Sequence, residues 1–198
     1  SIPIFIGYLI SSIVVIPIVI NGFTFISRFQ IWTQPVWIFL HVLPFAFIAT
    51  NHSILFEEWT GYTGVLGDPD GSFNILLFGA ASAVIFSLAA QIGEQVDFLR
   101  FLPPKTKKNK ISWWTSLLAA GPGWMLVGGL KIFAGSFLVF LCLKMNIPVD
   151  MAGEPTLMYK TAFQFVFTSS WAVAFATATF VIISQIKINV TNAYAGSI

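Results

Sequence analysis

Apolar residues in this chain gather into five long runs, at roughly positions 2–20, 32–50, 73–93, 113–143 and 163–194. A bilayer core about 30 Å thick takes about 20 apolar helical residues, and no backbone polar group can go unpaired in lipid. Each run therefore predicts a membrane-spanning helix. The fourth is long enough for about 45 Å of helix. It predicts tilt, or a kink where Gly121-Pro122-Gly123 weakens the backbone ladder, and reads as one bent span rather than two. The expected fold class is all-α integral membrane, with residues 1–198 forming a single transmembrane region.

Composition sharpens this picture. Of 198 residues, 57% are hydrophobic and only 9% charged, where a soluble domain carries about 25% charged residues. Mean hydropathy is +0.84. Such a chain is solvated mainly by lipid, which excludes a soluble fold. Disorder needs low hydrophobicity, nucleic-acid binding needs a basic field, and a secreted scaffold needs paired cysteines; none of these is present. The lone Cys142 reads as a small core residue. The chain opens on Ser1 and an immediate apolar run, without a basic leader or cleavage signal. It stops after Ala195-Gly196-Ser197-Ile198, within what reads as a polar motif, so it is expected to be an internal piece of a larger protein.

The few charges orient the spans. Arg100, Lys105, Lys107, Lys108 and Lys110 follow the third run and mark a cytoplasmic loop. Glu57, Glu58, Asp68 and Asp70 lie between the second and third runs without a basic residue, which places that loop outside. Arg28 then falls inside and the 144–160 stretch outside. The N-terminus is expected outside and the C-terminus in the cytoplasm of a multi-pass plasma-membrane protein. The outer loop at 51–72, with its Asp68-Pro69-Asp70-Gly71 turn, is long enough to pack over the bundle.

Polar residues inside apolar runs carry the candidate chemistry, because they are costly in lipid and face a cavity or a partner. In the third run Gly79, Ala83, Ser87 and Gln91 repeat every four residues along one helical face. Such a stripe serves close helix packing, a substrate cavity, or both. Glu94, Asp97 and Arg100 follow, as an interfacial charge cluster or with Glu94 in a proton relay. In the fifth run Thr177, Ser184, Lys187 and Thr191 fall close to one face. Their hydroxyls either bind a hard cation such as Na⁺ or bond back to the carbonyl four residues earlier. Lys187 puts an ammonium deep in that run, and Lys131 does so in the fourth. His41 reads as a satisfied core group. No metal-ligand cluster, nucleophile elbow, phosphate loop or paired-cysteine motif points to an enzyme or to a cofactor.

Three segments carry a family resemblance: Ser27-Arg28-Phe29-Gln30-Ile31-Trp32-Thr33-Gln34-Pro35-Val36-Trp37, Val96-Asp97-Phe98-Leu99-Arg100-Phe101, and Asn189-Val190-Thr191-Asn192-Ala193-Tyr194-Ala195-Gly196. Together they resemble the nucleobase:cation symporter-1 family, the permeases of cytosine, purines, allantoin and hydantoins. The resemblance runs through nearly the whole chain. It implies a leucine-transporter-like inverted-repeat fold of which the five runs are the family's helices four to eight, with the other helices supplied by the rest of the parent chain. It places the substrate at the midplane between discontinuous helices. Aligned on Asp97, the pocket-lining positions fall on Ser87 and Leu88, the latter often aromatic in the family. Gln91 could offer a paired donor and acceptor to a nucleobase or ureide edge.

Aligned on Tyr194, Asn189 and Asn192 occupy the family's polar positions. A Ser-Thr pair that holds Na⁺ in sodium-coupled members lands on Lys187-Ile188; a shift of one turn brings Ser184 to the site instead. The resemblance thus implies a secondary transporter of a small planar nitrogenous solute, coupled to H⁺ or uncoupled rather than Na⁺-driven. The alternative is a transporter-like sensory membrane module attached to a signalling domain. The expected partners are a small-molecule substrate and the lipid bilayer, with no nucleic acid.

Overall fold

The computed structural model describes residues 4–67 and 72–196, and the backbone but not the side chains of residues 4, 88, 90–92 and 94. The Asp68-Pro69-Asp70-Gly71 turn lies outside the described residues. The all-helical expectation holds: no strand occurs among the described residues. The helices are α1 (Ile4–Ile20), α2 (Gly22–Asn51), α3 (Ile54–Thr60), α4 (Ile75–Leu99), α5 (Lys110–Ala120), α6 (Gly123–Lys144), α7 (Val149–Ala152), α8 (Pro155–Val166) and α9 (Ser170–Ala195). Among the described residues three helices, α2, α6 and α9, are long and apolar enough to cross a membrane. Phe5–Ile20 in α1 and Ile75–Ser87 in α4 are apolar but shorter. The chain is a membrane-embedded helical protein, and large side chains such as Trp32, Leu76 and Trp171 stand exposed on its surface as lipid contact requires.

Helix boundaries follow local chemistry. Asn21 links α1 to α2, and Gly22 at the start of α2 takes φ +75°, a left-handed conformation that glycine adopts without a steric penalty. α2 then runs 30 residues through Pro35 and Pro44, a tolerance familiar in lipid, where neighbouring helices and Ser or Thr hydroxyls satisfy the freed carbonyls. The Asn74 side chain accepts from the amides of Leu76 and Leu77 and caps the start of α4.

The long fourth run divides at Gly121-Pro122 into α5 and α6. Gly121 takes φ −87° and ψ −104°; a Cβ there would sit 2.9 Å from the Leu117 carbonyl oxygen, so only glycine fits the break. The fifth run divides as well. Its first residues, through Val166, complete α8, whose C-cap Phe167 is extended, and α9 starts anew at Ser170. Thr168, Ser169 and Ser170 at that point are weak helix formers, and the extended backbone of Ser169 starts α9 without a side-chain cap hydrogen bond. α6 ends in a Schellman turn: Asn146 adopts φ 59°, and the Ile147 amide reaches back to the Cys142 carbonyl at 3.0 Å.

α8 is launched by Glu154, whose carboxylate accepts from the amides of Leu157 and Thr156 at 2.8 and 3.1 Å. Slight burial pushes its pKa up, but these hydrogen bonds outweigh it and hold the group below its ordinary value of 4.5. A depressed folded pKa stabilises the folded state fully above the unfolded value and loses that contribution as pH falls through the folded one. Glu154→Ala is therefore expected to cost about 0.5–1 kcal/mol at neutral pH. Hydrogen exchange at the Thr156 and Leu157 amides should quicken roughly two- to fivefold, and the wild-type advantage should be lost as pH falls from 4.5 through the lowered pKa of the folded state.

By contact the chain forms two compact units, residues 1–56 with 138–198, and residues 57–137. In the first, α1, α2, α8 and α9 pack against one another. Its core includes Val15, Ile18, Ile26 and Val190 near one end, with Ile48, Leu141, Cys142 and Phe163 also fully buried. In the second, α4 lies against α5, and the Trp59 ring meets those of Phe133 and Phe137 edge-on at 4.7 and 5.5 Å.

Candidate functional site

The first unit holds a file of polar contacts between α2 and its neighbours. Thr33, Trp37 and His41 recur every four residues, so they share one face of α2. Ser184 and Lys187, three apart on α9, meet that face. The Lys187 ammonium donates to Gln34 Oε1 at 2.7 Å and to Thr33 Oγ1 at 3.4 Å. Both acceptors are neutral, so among the described residues dipoles rather than a carboxylate solvate its charge. Thr33 in turn donates to the Phe29 carbonyl at 2.8 Å, which turns its lone pairs toward the lysine. Trp37 Nε1 donates to Ser184 Oγ at 2.8 Å.

Further along α2, His41 Nδ1 lies 2.6 Å from the hydroxyl of Tyr159 on α8. A ring protonated on Nε2 accepts there from the phenol. Aromatic faces close around this pair. His41 stacks on Trp37 at 4.9 Å, and the buried Phe180 of α9 lies 4.0 Å from the Tyr159 ring and 6.1 Å from that of Trp37. No buried side-chain nitrogen or oxygen among the described residues lacks a partner. The contacts of Lys187, Ser184 and Tyr159 with α2 pair polar groups across helices, which fixes the rotation of α2 and α9 relative to each other.

The other expected site residues lie elsewhere. Thr177 and Thr191 bond back to the carbonyls of Val173 and Lys187 at 2.7 and 3.0 Å, so the hydroxyl row on α9 does not converge as a cation cage. Asn189 turns to α1, where its amide donates to Ser11 Oγ at 3.1 Å; Asn192 is exposed one turn on. On α4, Ser87 is exposed and bonds back to the Val84 carbonyl at 2.6 Å. The side chains of Leu88, Gln91 and Glu94 are outside the described residues. No group of three or more His, Cys, Asp and Glu converges among the described residues. Gln34, Thr33, Trp37 and Tyr159 were not singled out from the sequence as site residues. The four-residue spacing of Thr33, Trp37 and His41 was the available signal on α2; nothing local pointed to Tyr159.

The opposite face of α2 carries an open groove of about 830 Å³ whose walls include Ile31, Pro35, Ile38, Phe39 and Val42. Gln34 also lines it and is the one polar side chain among the described lining residues. Such a wall suits acyl chains or another apolar helix better than a polar heterocycle, which needs convergent donors and acceptors. No protein-family model, curated protein or solved structure matches the chain.

Proposed function

We propose that this chain is part of a secondary transporter that moves a small planar nitrogenous solute, of nucleobase, ureide or hydantoin type, by alternating access without Na⁺. The observation that carries the reading is Lys187, a half-buried ammonium between two apolar helices whose hydrogen-bond partners among the described residues are the neutral oxygens of Gln34 and Thr33. In the alignment implied by the family resemblance it stands where sodium-coupled members place cation ligands. A fixed positive charge there repels a mobile Na⁺ and takes over its task of drawing two helices together. The contact joins α2 to α9, so it breaks or reforms if those helices rock against each other, as alternating access demands. The shorter apolar helices α1 and α4 would then cross the membrane with α2, α6 and α9, and Ser87, Leu88, Gln91, Asn189 and Asn192 would face the solute in the complete bundle.

Uptake by the full-length protein in proteoliposomes tests this. With hydantoin, allantoin, cytosine, uracil and purines as trial solutes, at least one should shift thermal stability and be taken up. The rate should stay the same within about twofold when Na⁺ replaces choline at constant pH, because a site with a resident charge has no differential affinity for the ion. Uptake that rises with Na⁺ would refute the tethered-cation reading. Absence of binding by every solute would refute the substrate class.

A further inference from the structure

The connection between α4 and α5 combines charge, order and apolar anchors in a way that the transport reading does not use. Arg100, Lys105, Lys107, Lys108 and Lys110 fall within positions 100–110, and no acidic residue occurs between Asp97 and Asp150. The segment is tied down rather than loose. Trp113 Nε1 donates to the Pro103 carbonyl at 2.9 Å. Asn109 clasps the turn, accepting from the Thr106 amide at 2.6 Å and donating to the Pro104 carbonyl at 3.1 Å. The Lys105 ammonium lies over the faces of Trp113 and Trp114, at 5.3 and 4.9 Å from the ring centroids, an arrangement that holds both indoles beside the basic turn.

The remaining lysines are left outward. Lys107, Lys108 and Lys110 are exposed, while Ile111 and Trp114 in the first two turns of α5 are 83% and 42% exposed. An ordered basic turn next to exposed indole and aliphatic groups has the chemistry of the bilayer interface. Indoles settle at headgroup depth, and ammonium groups held at that depth meet phosphates. The apolar Ile75–Ser87 stretch of α4 precedes the turn, and the membrane-competent α6 follows α5.

We propose that this turn is a docking surface for anionic phospholipid headgroups, with Lys107, Lys108 and Lys110 contacting phosphate and Trp113, Trp114 and Ile111 anchoring the turn at the interface. The occupant is a lipid and not a soluble anion, because the lysines are continuous with apolar groups that a free phosphate could not use. The proposal is independent of the solute carried, and its failure leaves the transport reading untouched.

Native mass spectrometry of the full-length protein released from mixed phosphatidylglycerol and phosphatidylcholine micelles tests it. Wild-type protein should retain phosphatidylglycerol in preference to phosphatidylcholine. Each lysine near an anionic surface is worth roughly fivefold, so the triple variant Lys107→Gln, Lys108→Gln, Lys110→Gln should lose at least about tenfold in that preference. The three-arginine counterpart should keep it. The clasps through Asn109, Lys105 and Trp113 are intact in both variants. A second measurement needs no variant: raising NaCl severalfold should weaken phosphatidylglycerol retention by wild-type protein and leave phosphatidylcholine unaffected. Equal retention by the glutamine variant, insensitivity to salt, or displacement of the lipid by millimolar inorganic phosphate would each overturn the proposal.

Discussion

Lys187→Met is expected to lower solute uptake by the full-length protein at least about tenfold, a loss of roughly 1.4 kcal/mol in the productive state. Methionine nearly preserves the length and apolar stem of lysine, so the change removes the charge and its hydrogen bonds rather than the packing. Gln34 Oε1 loses its partner at 2.7 Å and is left to compete for neighbouring donors, which costs about 1–3 kcal/mol where no donor can replace the ammonium. If Lys187 acts as a tethered cation, the transport defect exceeds the loss of stability, and Lys187→Arg restores part of the uptake because the guanidinium keeps the charge on a different geometry. Parallel measurement of uptake and unfolding separates these effects. A Met variant that unfolds earlier yet transports at the wild-type rate would reduce Lys187 to a structural tie.

Phe180→Ala is expected to be the most damaging single core substitution near the candidate site. The ring is 5% exposed and is packed against Tyr159, His41 and Trp37, with centroid separations of 4.0, 5.8 and 6.1 Å. Truncations of this kind cost about 3–5 kcal/mol in water-soluble cores. In lipid the separated helices stay apolar-solvated, so the cost comes from lost packing more than from transfer, and about 2–4 kcal/mol is the expected range. The cavity also frees the indole of Trp37 and the ring of His41 to turn, which weakens the bonds to Ser184 and Tyr159. Denaturant titration in mixed micelles measures the first effect, and Trp37 emission in a variant with the other tryptophans replaced reports the second. Phe180→Leu should recover about half the stability; an alanine variant as stable as wild type would show that α9 repacks around the gap.

Some of this was open to view in the sequence and some was not. Long apolar runs with few charges were enough to establish a membrane-embedded, all-helical chain, because helix formation and lipid solvation depend on residue type within a window of about 20 positions. The places where a helix would stop were harder. Gly121-Pro122 stood out as a weak point, yet whether it bends or interrupts the helix depends on a backbone conformation in which a Cβ would strike the Leu117 carbonyl. The break at Phe167 inside an apolar run left only a short hydroxyl cluster as its trace.

Lys187 could be recognised from sequence as a charge out of place, since nothing around it in the fifth run offers a counter-charge. Its partners could not. Gln34 and Thr33 lie 153 and 154 positions away, Ser184 meets Trp37 across 147, and Tyr159 meets His41 across 118. Those pairings depend on how far α2 and α9 are rotated about their own axes and on the approach of α8, quantities set by the packing of Phe180, Phe163 and Ile48 rather than by any local spacing. The lipid solvation of this protein and the character of its helices follow from residue types alone, because both are sums over neighbouring residues. What the half-buried ammonium touches emerges from helix packing, because hydrogen bonds between helices reward a mutual orientation that no single helix contains.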